Sequence, residues 1–405
     1  MTAYWPAPEP LPRGPRGRRA TWLAAIAVLD VVALLAGAGS YAVRRESARP
    51  PEARDIRALV PELSEFVEEA RGLRFRTPVD VTLLDDEEFR ARLLAEDEAE
   101  EDDAGAPEAA EPEPEAGVTL QALGLVEPGL DLDSAVESLT GDTVAGFYDA
   151  ETKELVVRGD EATPLVRAVL VHELTHALQD QHFELDRPDL EDRDDEAFLG
   201  YLGLVEGDAS VVEDAYRDQL SSDERGEMAQ EEQELYGDAA ADVPDVLLAL
   251  FGFPYEAGPE FVRALRDARG QAGLDAAFER PPSSSEHLLH IASYLAGDQP
   301  QPVGAPRARG AVVDHGVLGE LGLLLTLAVG GDRDYADVFD EVDDWAGDRY
   351  VSWREGTLAC TSAAIVMDDA TAAAELRAAL QRWAADRART SVAGSGPRVT
   401  LDACA

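Results

Sequence analysis

The feature that most constrains this chain is a predicted helix that carries the sequence His-Glu-x-x-His at residues 172–176. Thr163 can cap the start of this helix, and Pro164 suits its first turn. Apolar residues then recur at helical spacing as far as Leu178. Two histidines four residues apart share one face of a helix, where both imidazoles can bind one Zn²⁺ ion. The spacing therefore predicts a metal-binding helix, with Glu173 as a general base for an attacking water.

A zinc site built on His172 and His176 needs a third protein ligand. We predict Glu206, because the acidic loop between the two segments leaves room for a second helix to return. A single glutamate in an apolar stretch is costly unless a partner or a metal balances its charge. Glu196 and Glu213 are the alternatives, although their acidic neighbours are typical of a solvated surface.

These segments resemble the zincin metallopeptidases, and among them the gluzincins, whose third zinc ligand is a glutamate on a following helix. Four segments are similar to parts of bacterial and archaeal proteins classed as zinc metallopeptidases. They are VLVHELTHALQDQHFEL, LGLVEGDAS, residues 280–290 and residues 319–350. The resemblance covers residues 55–385 and implies a zincin-like α+β fold that hydrolyses peptide bonds with a zinc-activated water. One departure is Ser210, where some gluzincins have an aspartate four residues after the ligand glutamate.

The oxyanion formed during such a reaction needs a hydrogen-bond donor in addition to the metal. The resemblance implies a histidine or tyrosine from later in the chain, and we predict His290 because it lies in a resembling segment. The alternatives are Tyr294, His315, Arg349 and Tyr350. The metal-binding histidines also need acceptors for their second ring nitrogens. Asp180 and Asp208 are the candidates for that role.

The composition is strongly acidic, with 82 Asp and Glu against 35 Lys and Arg and a net charge of −47. Such a surface repels phosphates, which argues against a nucleic-acid partner. The peptide or protein substrate that we expect follows from the resemblance to metallopeptidases. Lys153 is the only lysine. An acidic excess with so little lysine is typical of halophilic proteins, because concentrated salt screens self-repulsion. A GC-rich codon bias that favours arginine is the alternative. The composition leaves the oligomeric state open.

The N-terminal segment predicts a membrane anchor. Residues 1–20 carry four arginines among prolines, and residues 21–43 are apolar apart from Asp30. A helix of that length, at ~1.5 Å per residue, spans a bilayer core of about 30 Å. The arginine-rich arm favours a cytoplasmic N-terminus and a catalytic part outside the cell. The alternative is a signal peptide cleaved near Ala36-Gly37-Ala38, which would give a secreted protein.

We expect the remaining chain to form one zincin-like domain over residues 61–385, after a linker at 44–60 and before a C-terminal tail at 386–405. The domain should contain a small N-terminal sheet, the His-Glu-x-x-His helix and a largely helical C-terminal part. Its expected elements are a helix at 61–71, a strand at 79–84, a hairpin formed by 144–148 and 155–158, and a turn at the glycine–proline cluster 252–259. Residues 95–117, rich in Glu, Asp, Ala and Pro, predict a disordered insertion.

The expected function is that of a membrane-anchored zinc metallopeptidase. Two alternatives remain open: an inactive zincin-like module that binds partners at the membrane, and a zinc hydrolase of a non-peptide amide. The two cysteines, Cys360 and Cys404, could form a disulfide outside the cell or remain free thiols.

Overall fold

The computed structural model describes residues 56–93, 116–132, 134–136, 144–191, 195–236 and 243–405. The predicted arm, the anchor at 21–43, residues 44–55 of the linker and most of the acidic insertion lie outside these ranges. Within the described residues, no helix has the length and apolar character needed to cross a membrane.

The described residues form a mixed α+β fold. The helices are α1 (Ile56–Arg71), α2 (Ala116–Ala122), α3 (Pro164–Phe183), α4 (Pro188–Glu191), α5 (Asp195–Arg217), α6 (Ser222–Tyr236), α7 (Asp245–Glu279), α8 (Ser285–Leu289), α9 (Ile291–Ala296), α10 (Gly319–Ala328), α11 (Tyr335–Val342) and α12 (Ala370–Ala384). The strands are β1 (Val81–Leu84), β2 (Gly146–Asp149), β3 (Glu154–Arg158), β4 (Val312–Gly316), β5 (Trp345–Glu355), β6 (Leu358–Met367), β7 (Ser391–Ser395) and β8 (Arg398–Cys404).

These elements divide into two compact units. The first unit contains the described residues of Thr21–Ala99 and Asp131–Asp298, and the second contains those of Glu100–Leu130 and Gln299–Ala405. The range 61–385, which we expected to be one domain, therefore includes parts of both units. Residues 386–405 supply β7 and β8 to a sheet of the second unit rather than forming a tail.

Helix α3 is the central element of the first unit. Thr163 caps it by accepting a hydrogen bond from the Val166 backbone, and Pro164 occupies its first turn, as predicted. Every residue from 168 to 180 is buried. Helix α1 and the sheet β1-β3-β2 pack against this helix through an apolar cluster that includes Leu59, Leu63, Leu155, Leu170, Leu174 and Leu178. Strands β2 and β3 pair antiparallel, which confirms the predicted hairpin.

Helix α5 packs against both α3 and α7. Its contact with α7 is close because glycines meet there: a Cβ atom on Gly207 would lie 2.3 Å from the Gly258 carbonyl carbon. The turn that we predicted at residues 252–259 is therefore wrong, because this cluster continues α7. Gly258 provides space for a neighbouring helix instead of a change of chain direction.

The second unit contains a five-stranded antiparallel sheet in the order β4-β5-β6-β8-β7. The predicted helical character of the C-terminal part is confirmed for α5 to α9, but the prediction missed this sheet. Strands β5 and β6 are buried along nearly their whole length, so they lack the alternation of apolar and polar residues that marks a half-exposed strand. Cys360 and Cys404 face each other on β6 and β8 and form a disulfide.

Helix α2 packs beside β6, where Val118 and Ala122 contact Ala359. It begins at Ala116. The last two residues of the range 95–117 are therefore helical, and the predicted disordered insertion was too long at this end. Val118, which directly follows the acidic sequence, is fully buried in this contact.

Candidate metal centre

The structure brings together the three predicted metal ligands in the core of the first unit. His172 and His176 come from α3, and Glu206 comes from α5. The Glu206 Oε2 atom lies 3.2 Å from His172 Nε2 and 3.3 Å from His176 Nε2. Glu206 is fully buried, and the two histidines are 1% and 2% exposed. Two imidazoles and one carboxylate thus converge where little solvent reaches them.

The proton on His176 can be assigned from its neighbour Gln179. The Gln179 amide nitrogen donates to the Val205 carbonyl oxygen and to Asp208, at 3.0 Å in each case. Both partners are acceptors, so the amide oxygen must face His176 Nδ1, 3.0 Å away. His176 Nδ1 is therefore protonated and donates this hydrogen bond. When the ring is neutral, its Nε2 atom then carries a lone pair that points towards Glu206.

The same reasoning applies to His172, whose Nδ1 atom lies 3.1 Å from Glu213 Oε2. Burial raises the pKa of Glu213, but the charge of Arg217 and the hydrogen bond from His172 outweigh this effect and lower the pKa to about 2. Arg217 binds the second Glu213 oxygen at 2.6 Å and also contacts Glu232 on α6. An ionised Glu213 can only accept, so His172 Nδ1 donates, and in the neutral ring its Nε2 carries a lone pair.

These assignments leave electron pairs facing one another at the centre of the site. Among the described residues, His176 Nε2 and the Glu206 Oε1 atom are buried and have no hydrogen-bond partner. Buried polar atoms are normally satisfied, and an unsatisfied one costs ~1–3 kcal/mol. Two imidazole lone pairs and a carboxylate form the donor set of many catalytic zinc sites, in which water takes the fourth position. The residues present therefore fit a divalent cation.

The electrostatics of Glu206 agree with this fit. Burial raises the pKa of Glu206, but interactions with His176 and His172 lower it to about 2. These interactions require positive charge beside the carboxylate. Protonated imidazoles would supply that charge, and a bound cation would supply it when neither Nε2 atom carries a proton. Glu206 is therefore a carboxylate suited to a charged centre.

The other residues predicted for this site have different surroundings. Glu173 is buried on α3, directly after the first histidine. Glu196 accepts hydrogen bonds from the backbone and hydroxyl of Ser285, both at 2.8 Å, and so holds the start of α8. Glu213 binds the outer nitrogen of His172 instead of joining the ligand cluster. Of the three glutamates considered as third ligand, Glu206 is the one in that cluster.

The two aspartates considered as histidine partners do not contact the imidazoles directly. Asp180 accepts hydrogen bonds from Tyr148 and Lys153 at 2.7 and 2.9 Å and thereby ties the β2–β3 hairpin to α3. Asp208 instead binds Gln179 and forms a buried ion pair with Arg71 at 2.6 Å. Asp208 therefore supports His176 through an intervening amide.

The candidates for an oxyanion donor are dispersed. His290 is half-buried at the junction of α8 and α9, and its catalytic role stays a prediction. The Tyr294 hydroxyl donates to the Arg280 carbonyl oxygen at 2.9 Å. The three other candidates belong to the second unit, where Tyr350 donates to Asp314 at 3.2 Å and His315 and Arg349 lie on β4 and β5.

Gln179 and Tyr255 escaped the sequence argument, and Glu213 was considered there as a metal ligand but not as a partner of His172. The positions of Gln179 and Glu213 carried a detectable signal. Gln179 lies three residues after His176, within reach along one helix face. Glu213 lies seven residues after Glu206, two turns along the same face of α5. The Tyr255 ring lies 6.3 Å from the His172 ring, centroid to centroid, through a helix crossing that local sequence does not predict.

Comparison with known proteins adds no assignment, because no family model, curated protein or solved structure matches this chain.

Proposed function

We propose that this chain is a zinc-dependent metallopeptidase of the gluzincin type. The observation that supports the proposal is the convergence of two imidazole lone pairs and the Glu206 carboxylate at a buried point. Outer hydrogen bonds from Gln179 and Glu213 fix the ring orientations that produce this convergence. An arrangement this constrained has a clear use in holding a metal ion and no evident use in packing.

When bound, a Zn²⁺ ion would supply a Lewis acid that polarises a carbonyl and lowers the pKa of a coordinated water to about 7. His172, His176 and Glu206 would hold the ion. Glu173 would take a proton from the attacking water and pass it to the amine that leaves when the C–N bond breaks. Glu213 and Gln179 would keep the two imidazoles in the required tautomer.

A Glu173→Gln variant tests this assignment, because the change removes the base and keeps the size of the side chain. We expect the variant to bind zinc as wild type does and to lose hydrolysis of a diverse peptide library. Glu184→Gln is a matched control at the exposed C-terminal end of the same helix and should retain activity. Unchanged cleavage by Glu173→Gln would contradict the proposed mechanism.

The same assay with a panel of peptides and N-acyl amides separates the alternative functions. A zinc-loaded chain that binds peptides without cleaving them would be a binding module. Cleavage of N-acyl amides but not of peptides would identify a hydrolase of non-peptide amides. Because all three readings use the same ligands, the substrate panel discriminates between them.

We also propose that residues 21–43 anchor the chain and that the catalytic part lies outside the cell. The Cys360–Cys404 disulfide supports this placement, because structural disulfides persist in oxidising compartments. Protease added to intact cells should then digest the domain and spare a short N-terminal fragment. Complete protection would reverse the proposed topology, whereas a mature chain in the medium that begins near Gly39 would indicate a cleaved signal peptide.

A further inference from the structure

Tyr255 is the aromatic side chain from α7 that lies beside the candidate metal centre. Its ring centroid is 6.3 Å from that of His172, and the two ring planes are tilted by 30°. The side chain is buried, with an exposed fraction of 5%. Tyr255 lies on α7, whereas His290 lies at the junction of α8 and α9 and Tyr294 lies on α9.

A close helix crossing places Tyr255 at this point. A Cβ atom on Gly258 would lie 2.2 Å from the Gly203 carbonyl oxygen and 2.9 Å from the Gly207 Cα atom. Gly207 directly follows the ligand Glu206, and Gly258 is one turn beyond Tyr255 on α7. The contact that fixes Glu206 therefore also fixes the tyrosine. Such precision on regular helices is what a catalytic constellation needs.

The spacing suits a role in the reaction. With ring centroids 6.3 Å apart and the side chain buried, Tyr255 is one of the aromatic groups that surround the ligand His172. A tyrosine hydroxyl donates a hydrogen bond while it remains neutral. In a buried site, a donor aimed at developing negative charge is worth more than it would be in water.

We propose that Tyr255 is a catalytic residue that donates a hydrogen bond to the carbonyl oxygen of the bond being hydrolysed. The proposal rests on the proposed function. As the water oxygen bonds to the carbonyl carbon, the π electron pair moves to the carbonyl oxygen and the water proton moves to Glu173. Tyr255 stabilises that oxygen and keeps its own proton. When the C–N bond breaks, the electron pair returns and Glu173 protonates the amine.

The test compares Tyr255→Phe with wild type in the full-length chain, which is purified in detergent because of the predicted anchor. The substitution keeps the ring and removes one hydroxyl. Zinc content is measured first. The Co²⁺-substituted protein is then titrated with acetohydroxamate, and the visible spectrum gives a dissociation constant that needs no substrate. Peptide hydrolysis supplies kcat and KM. Tyr294→Phe is the matched control, because its hydroxyl binds a backbone carbonyl.

We expect Tyr255→Phe to keep one zinc per chain and to bind acetohydroxamate about tenfold more weakly, as for loss of a hydrogen bond to a charged group. Its kcat should fall by roughly 10²–10³, the usual effect of removing an oxyanion donor, while KM changes little. Tyr294→Phe should match wild type in every measurement.

Wild-type hydroxamate affinity in Tyr255→Phe would overturn the proposal, as would loss of zinc, which would make the residue structural. If His290→Ala shows the expected losses and Tyr255→Phe does not, the role belongs to His290. If wild type binds zinc but cleaves nothing, the proposed peptidase function fails. The hydroxamate comparison then still decides whether the Tyr255 hydroxyl reaches the metal-bound ligand.

Discussion

Glu213 provides a quantitative test of how the histidines are held. Its Oε2 atom accepts a hydrogen bond from His172 Nδ1 at 3.1 Å, and its carboxylate is mostly buried. A charge-assisted hydrogen bond contributes ~1.5–3 kcal/mol and a neutral one about 1 kcal/mol. Glu213→Gln keeps an acceptor and loses the charge, so it should weaken zinc binding by ~1.4 kcal/mol, or about tenfold. Glu213→Ala removes the acceptor as well and should weaken binding about 100-fold.

The assay is competition for zinc against a chromophoric chelator at fixed pH, with thermal unfolding of the metal-free proteins as a check on the fold. Asp214→Asn is the control, because Asp214 is the next residue on α5 and its half-exposed carboxylate binds Arg263 instead of a histidine. Arg217 also contacts Glu232, and this contact should persist in every variant. Wild-type zinc affinity in both Glu213 variants, or an equal loss in Asp214→Asn, would refute the reasoning.

Three further predictions concern stability. The pKa of Glu224 is lowered to about 2 by hydrogen bonds from an arginine on α3 and from the start of α6. The contribution of Glu224 to the free energy of unfolding is therefore complete above pH 4.5 and is lost as pH falls towards 2. Because this group is more than a third exposed, the acid-induced loss of stability should be about 1 kcal/mol. In Glu224→Gln, the free energy of unfolding should therefore depend less on pH between pH 4.5 and 2. Gly258→Ala should lower the free energy of unfolding in denaturant by about 3 kcal/mol, because its Cβ meets backbone atoms. Gly226→Ala, with open space around it, should instead stabilise α6 by up to ~1 kcal/mol. Reduction of the Cys360–Cys404 bond, which spans 44 residues, should destabilise the second unit by about 4 kcal/mol and leave zinc content unchanged; equal stability of oxidised and reduced protein would contradict this.

The local features of the first unit were predictable from the sequence. The cap at Thr163, the start of α3 at Pro164 and the hairpin depend on residues that are close in the chain. The convergence of Glu206 with the two histidines could also be anticipated, because the chemistry of zinc demands a third ligand. Helix α1, however, begins at Ile56, ahead of its predicted start at residue 61.

The features that were missed depend on contacts between distant segments. In the five-stranded sheet of the second unit, β5 and β6 lack an alternating pattern because they are buried along nearly their whole length. Cys360 and Cys404 are joined by a register that forms only when β6 and β8 pair. Tyr255 lies beside His172 because two helices cross closely at Gly258. In the sequence, a glycine beside prolines is also typical of a turn, so this crossing could not be recognised from local sequence.

The most direct test of the metal site is the zinc stoichiometry of the purified chain and of two variants in which an uncharged glutamine replaces a glutamate. We predict one tightly bound zinc per chain in wild type and in Glu196→Gln, because Glu196 holds the start of α8. Glu206→Gln should lose most of its zinc while remaining folded, because an amide replaces the only carboxylate in the ligand cluster. Full zinc occupancy in Glu206→Gln, or a wild-type chain that binds no zinc, would contradict the site at His172, His176 and Glu206.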